Sequence, residues 1–265
     1  MKFKITILLI TISLQLQFLF AVEPFRFALL TDIHLSADTV SVNDLKSAVS
    51  QINADSTIAF VLVAGDVTQH GDIPSLRKVK QMLDELHVKF YAVAGNHETK
   101  LSPNGIKDFI RIFGDDKFAF EHHGICFIGF NTGPEKDKQQ GRVTAQDLTW
   151  LTQRLKNIKK GKPIVLVTHY PLQGGDVENW EEVTSALRPF DVSAILTGHY
   201  HRNVVLSFGG IPGVVNRALQ RNKDRNSGFS MYEIQDNNIF IYNKELTEEK
   251  DLWLTLPLDP QYLNQ

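Results

Sequence analysis

Eight polar side chains in this sequence stand where apolar runs end, and their types are those that hold metal ions. "FALLT" is followed by Asp32 and His34, "VLVAG" by Asp66, and "YAVAG" by Asn96 and His97. "VLVT" is followed by His169, and "ILTG" by His199 and His201. Singly, each is an ordinary turn signal. Together they end five apolar runs, which points to one metal site. Carboxylate, imidazole and amide oxygen suit Mn, Fe or Zn, whereas calcium takes oxygen alone. With no cluster of cysteines, a structural zinc knuckle is excluded. Seven such ligands are too many for one ion with an open position. Two ions sharing a carboxylate accommodate them, and ions ~3.5–4 Å apart serve displacement at phosphorus. Two divalent ions beside two carboxylates and a hydroxide keep a small net positive charge, suited to an anionic phosphate ester.

The elements that must position these groups follow from hydrophobic periodicity. "FRFALLT" (25–31), "TIAFVLVAG" (57–65), "KFYAVAG" (89–95), "PIVLVTH" (163–169) and "VSAILTG" (192–198) read as buried strands. Ligands in open α/β sheets bind outside the carboxyl ends of such strands. In extended chain His199 and His201 project to one face and converge. Between the strands, Val42, Leu45, Val49 and Ile52 have helical spacing, with Ser41 and Asp44 as a capping box. Pro74 opens a helix through Leu76, Val79, Leu83 and Leu86. "FAFEHHGICFIGFN" is a hairpin turning near His122 to Gly124, Thr144 and Asp147 cap a further helix, and another lies around Trp180 to Leu187. After residue 203 only short strands are read: "NVVLSF", "FSMYEI" and "NIFIYN". This order predicts two sheets packed together with helices outside, as one domain over residues 22–265 with a motif-bearing part to 205 and a β-rich part over 206–265.

Composition narrows the class. The chain has 265 residues, 43% hydrophobic and 22% charged, with net charge −2, so no global positive field points to a nucleic-acid duplex or an anionic membrane. "MKFK" and the apolar run to Phe20, broken by Gln15 and Gln17, read as a secretory signal over residues 1–21 cleaved after Ala21. The expectation is an exported protein, periplasmic or secreted, with no membrane span once the signal is removed. The single cysteine, Cys126, permits no internal disulfide and reads as a small buried hydrophobe. His70, His87, His122 and His123 carry no assigned role. "RNKDRNSG" (221–228) is a basic loop that either meets a substrate phosphate or is solvated, and the solvated reading is preferred.

The motifs stand as Asp32-Ile33-His34, Gly65-Asp66, Gly95-Asn96-His97-Glu98, His169 and Gly198-His199-Tyr200-His201. In order and spacing this series resembles the calcineurin-like metallophosphoesterases, over residues 25 to 205. The resemblance implies a four-layer αββα sandwich of two mixed β-sheets flanked by helices. It implies that Asp32, His34 and His201 bind one divalent ion, that Asn96, His169 and His199 bind a second, and that Asp66 bridges them. It gives His97 no ligand role but sets it beside the leaving-group oxygen as proton donor or charge stabiliser, so His97 and Asp66 are the expected catalytic residues. The nucleophile it implies is a metal-bridging hydroxide attacking phosphorus. The short D-x-H motif is more similar to the phosphodiesterase and general esterase branches than to the purple acid phosphatases, whose metal-binding tyrosine has no counterpart here. Tyr170 follows His169 without being a ligand. The expected activity is hydrolysis of small phosphate esters, preferably diesters. A phosphomonoesterase is the near alternative, and a non-enzymatic binding module on the same sandwich is a distant one because all eight site residues are present. A metal hydrolase built on H-x-H-x-D-H lacks its motif here, and a carbohydrate-binding sandwich would not require ligands at strand ends.

Overall fold

A computed structural model describes residues 22–136 and 138–259. The proposed signal, residues 1–21, lies outside the described residues. In chain order the elements are β1 (Phe25–Leu30), α1 (Thr39–Ala54), β2 (Ile58–Ala64), α2 (Ile73–Leu83), β3 (Lys89–Val93), α3 (Ile106–Phe113), β4 (Phe118–His122) and β5 (Ile125–Gly129). They continue with α4 (Ala145–Lys156), β6 (Ile164–Val167), α5 (Trp180–Leu187), β7 (Val192–Thr197), β8 (Val204–Phe208), β9 (Ile211–Val215), β10 (Gly228–Gln235), β11 (Asn238–Glu245) and β12 (Asp251–Pro257).

Two six-stranded sheets result, in the orders β12-β11-β10-β1-β2-β3 and β4-β5-β6-β7-β9-β8. Both are mixed: β1, β2 and β3 run parallel, as do β5, β6, β7 and β9, and the remaining pairs are antiparallel. The period of two along each strand explains the layers. Phe27 and Leu29 of β1 face the second sheet, packing with Phe60, Phe127, Val165, Leu196 and Tyr232. Ala28 and Leu30 face outward onto Leu45 and Val49 of α1, Leu76 and Val79 of α2 and Phe109 of α3. Ile128, Leu166 and Ile195 of the second sheet face outward onto Leu151 and Leu155 of α4 and Val183 and Leu187 of α5. Strands covered on both faces must be apolar throughout, which is why these runs do not alternate. Between the sheets Phe27 stacks on Tyr232 and Phe60 at centroid distances of 4.7 and 5.1 Å, each pair worth ~0.5–1.5 kcal/mol beyond the area it buries. This is the four-layer αββα sandwich, two mixed sheets flanked by helices.

Local expectations meet the structure with mixed results. Thr144 caps α4 as expected, its Oγ1 accepting from the Asp147 backbone N at 3.1 Å. Helix α1 is capped differently. It begins at Thr39, and Asp38 is the cap, accepting from the backbone N of Val40 and Ser41 at 2.8 Å each. Asp38 lies just outside the first turn and reaches both orphan N–H groups, whereas Asp44 is already inside the helix and pairs with Arg221 instead. Helix α2 stops at Leu83, short of Leu86, which still packs against the core. Strands β9, with Pro212 and Gly213, and β12 and helix α3 are not among the elements read from the sequence. Gly213 is needed where it stands: a Cβ there would meet the Phe208 ring at 2.3 Å.

Candidate metal centre

Strands β1, β2 and β3 in one sheet and β6 and β7 in the other end at one rim, and the segments that follow are laced together. Asp32 N donates to Gly65 O at 3.1 Å, His34 N to Asp66 O at 2.9 Å and Gly198 N to His169 O at 3.1 Å. Five site residues take the left-handed backbone that non-glycine residues seldom adopt: Asp32 (φ 50°), His34 (47°), Asp66 (49°), His199 (72°) and His201 (55°). The premise of extended chain at His199 and His201 is therefore corrected. The backbone coils tightly there and directs the two rings to different neighbours. Close approach also fixes the glycine of the last motif: a Cβ on Gly198 would lie 2.0 Å from Thr31 Oγ1 and 2.6 Å from Asp32 Oδ2.

Every one of the eight expected residues reaches this rim, in overlapping groups. Donor atoms of Asp32, His34 and His201 lie within 4.8 Å of one another, as do those of Asp66, His169 and His199, and those of His34, Asp66 and His97. In the first group His201 Nε2 is 3.2 Å and His34 Nε2 3.8 Å from Asp32 Oδ1, and the two Nε2 atoms are 3.0 Å apart. Asp66 Oδ2 stands 3.2 Å from His169 Nε2 and 3.7 Å from the Nε2 atoms of both His34 and His97. Asn96 Oδ1 is 3.1 Å from His169 Nε2. Asp66 Oδ2 is thus the atom common to both sides.

Surrounding groups fix the orientation of these ligands. His169 Nδ1 donates to Ala64 O at 2.7 Å and His97 Nδ1 to Gln69 O at 2.6 Å, so each Nε2 is aimed at the centre. Asp32 Oδ2 accepts from Thr31 Oγ1 at 2.9 Å and from His199 N at 3.0 Å, and Asp66 Oδ1 accepts from His97 N at 2.9 Å. Glu98 ties two of the loops together. Its Oε1 accepts from Thr68 N and Oγ1, and its Oε2 from Gly95 N, all at 3.0 Å, in full burial. Neither Thr31 nor Glu98 is among the site residues expected from the sequence. Glu98 stands inside the third motif, and a buried carboxylate beside ligands was the available signal.

Electrostatics follows from burial and pairing. Burial opposes the charge on Asp32 and Asp66, yet bonds from His201 and His34 to Asp32, and the charge of His169 beside Asp66, hold both below the usual 3.8. Burial also opposes charge on His169, but Asp66 prevails and pushes it up to about 9. His199 is lowered to about 4 by burial and then by His169. His97 is lowered, mainly by burial.

Divalent metal ions fit this donor set. Two ligands each ~2.1 Å from one ion and at right angles are ~3.0 Å apart, and the distances within the Asp32 group run from 3.0 to 3.8 Å. The donors are nitrogen and oxygen, with no thiolate among them. Cys126 is buried on β5, its thiol pushed up by burial. His122 and His123 stack on each other at 4.3 Å against Phe25, at the far end of β1. Tyr170 lies 4.1 Å, ring to ring, from His199. The basic loop is only partly solvated: Arg221 pairs with Asp44, and Arg225 Nε is shielded from water with no hydrogen-bond partner among the described residues.

A probable cyclic nucleotide phosphodiesterase from Vesicomyosocius okutanii subsp. Calyptogena okutanii is 26% identical over 219 residues, covering 78% of this chain and 88% of that protein. The serine/threonine-protein phosphatase CPPED1 of Bos taurus is 27% identical over 160 residues, covering 54% of this chain and 51% of that protein. Among solved structures, a dimetal phosphatase from Danio rerio superposes with a TM-score of 0.70 at 16% identity, covering 90% of this chain and all of that one. The calcineurin-like phosphoesterase family matches residues 25–203, more than half of the chain and all five motifs, and the chain belongs to that family.

Proposed function

We propose that the chain is a phosphodiesterase working through two divalent ions, with Mn, Fe or Zn as the candidates. The observation that carries this is Asp66 Oδ2, which stands between His169 on one side and His34 on the other. One ion is assigned to Asp32, His34 and His201 and the other to Asn96, His169 and His199, with Asp66 shared. Ions held there would polarise the phosphoryl oxygens and lower the pKa of water. The chain's own residues do the rest. The carboxylates of Asp32 and Asp66, held by Thr31 Oγ1 and by the backbone N of His199 and His97, fix the ligands without rearrangement on turnover. His97, its Nδ1 committed to Gln69 O, offers only Nε2 to the substrate. An arriving phosphate anion favours the protonated ring, and the Nε2 proton then goes to the leaving oxygen as its bond to phosphorus breaks.

The diester preference draws support from the cyclic nucleotide phosphodiesterase relative, which this chain covers over most of its length. The phosphatase names of other relatives favour a monoesterase as the second reading. The deciding experiment strips the protein of metal, reloads it with manganese, and compares bis(p-nitrophenyl) phosphate with p-nitrophenyl phosphate. Faster turnover of the diester is expected; a faster monoester would move the reading to a phosphatase. Residues 1–21 support export, since a basic start followed by an apolar run is what signal peptidase substrates share. Among the described residues no helix is long and apolar enough to cross a membrane.

A further inference from the structure

Side-chain exposure shows where substrate enters. His201 is 29% and His97 17% exposed, while Asp32 and His169 are sealed. The mouth therefore lies on the His97 and His201 side. One wall of it is the loop between β9 and β10, which is zipped onto the first motif: Leu219 N donates to Thr31 O at 2.9 Å and Gln220 N to Asp32 O at 3.0 Å. Gln220 Nε2 also reaches Gln69 Oε1 at 3.4 Å, on the residue whose carbonyl orients His97. The loop is closed on itself, with Ser227 Oγ on Leu219 O at 2.6 Å and Asn222 N on Arg225 O at 3.0 Å.

Arg217, a buried residue near the start of this loop, joins two stretches of chain. Its backbone N donates to Asn203 Oδ1 at 2.8 Å, and its Nη2 to Asn226 O at 2.8 Å. Asn203 follows Arg202, and Asn226 follows Arg225, and the charges of Arg217, Arg202 and the metal-site carboxylate Asp32 all act on Arg225, so both further arginines lie near the first motif and near each other. Neither of their guanidinium groups makes a hydrogen bond or ion pair among the described residues. Arg225 Nε is moreover shielded from water, and a shielded donor without a partner costs free energy that a ligand recovers. Arg221, which immediately precedes that turn, is by contrast already neutralised by Asp44.

We propose that Arg225, with Arg202 beside it, grips a second oxyanion, a phosphate or carboxylate, carried on one ester arm of the substrate. The inference rests on the phosphodiesterase reading. A simple diester bears one negative charge, which the metal centre meets, so two unpaired guanidinium groups at the mouth serve a further anionic group. Planar guanidinium pairs bidentately with such oxygens. Burial, with Arg217 next, already presses against the Arg225 charge, and an incoming anion relieves this.

The test uses thymidine 5′-(p-nitrophenyl phosphate) with and without a 3′-phosphate, on the manganese-loaded enzyme. The expected kcat/KM is about tenfold higher for the 3′-phosphorylated compound. Arg225→Gln should bring the ratio close to one, Arg225→Lys should restore part of it, and Arg221→Gln should keep it. Calorimetry of thymidine 3′,5′-bisphosphate against thymidine 5′-phosphate should give the same order of affinities and lose it in Arg225→Gln. An active enzyme with equal kcat/KM for both compounds overturns the arginine assignment while sparing the phosphodiesterase reading, and so does loss of the preference in Arg221→Gln. Hydrolysis of neither compound counts against the phosphodiesterase reading, and the calorimetric comparison then decides the arginine assignment alone.

Discussion

His97 differs from its neighbours in how it is held. It shares the Asp66 oxygen with His34 and His169, but its ring is more exposed and its second nitrogen is committed to Gln69 O. His97→Ala is therefore expected to retain bound metal, as read by elemental analysis, while losing turnover. The loss should reach about 10²–10⁴-fold for alkyl leaving groups and be much smaller for p-nitrophenolate, which needs no proton. Loss of metal in this variant would make His97 a ligand. A second residue-scale expectation concerns the metal-free protein. His169 is raised to about 9 from the usual 6.5, burial opposing and Asp66 prevailing, so its protonation stabilises the fold fully below 6.5 and that gain is lost as pH rises through about 9. His199 is lowered to about 4 from 6.5 by burial, so its contribution is intact above 6.5 and lost as pH falls toward 4. Thermal stability without metal should then peak near 6.5. A flat profile across this range would mean that neither ring is held as described.

Glu98 acts between elements, since its two oxygens join the loop after β2 to the loop after β3. Glutamine would offer one oxygen and turn an NH₂ toward either Gly95 N–H or the Thr68 donors. Glu98→Gln is expected to cost about 1–3 kcal/mol in chemical denaturation and to weaken metal binding by about 10–100-fold. Unchanged metal affinity would show that the loops hold without this link. At this scale the sequence was legible where physics is local. Strands covered on both faces announced themselves as apolar runs, and the ligands at their ends followed. The start of α1 was misjudged because Ser41 and Asp44 mimic a capping box, while Asp38 makes the real bonds. Strand β9 was hidden because Pro212 and Gly213 are unfavourable in isolation and are accepted only beside Phe208. The pairing of Arg221 with Asp44, which has no counterpart for Arg225 among the described residues, spans 177 positions and is not a local property.

Over the whole molecule, the motifs end at His201, yet neither sheet is complete there. β10 pairs with β1 at the centre of the first sheet, and β9 pairs with β7 in the second. A chain cut after residue 205 would leave β1 with an open hydrophobic edge. Such a chain, though it holds all eight site residues, is expected to be insoluble or to lack near-ultraviolet circular dichroism. A soluble, metal-binding fragment would contradict this.

The left-handed backbone at five site residues has one more consequence, which concerns selection between stability and activity. An alanine at such a position keeps the unfavourable backbone and loses the ligand, whereas glycine removes the strain as well. His201→Gly should therefore melt higher than His201→Ala, by an amount matching about 1 kcal/mol. A chain released from catalysis would drift toward glycine or asparagine at these places and grow more robust as it fell silent. A homologue with the sandwich intact and glycines where the histidines stand would be a relic of that trade.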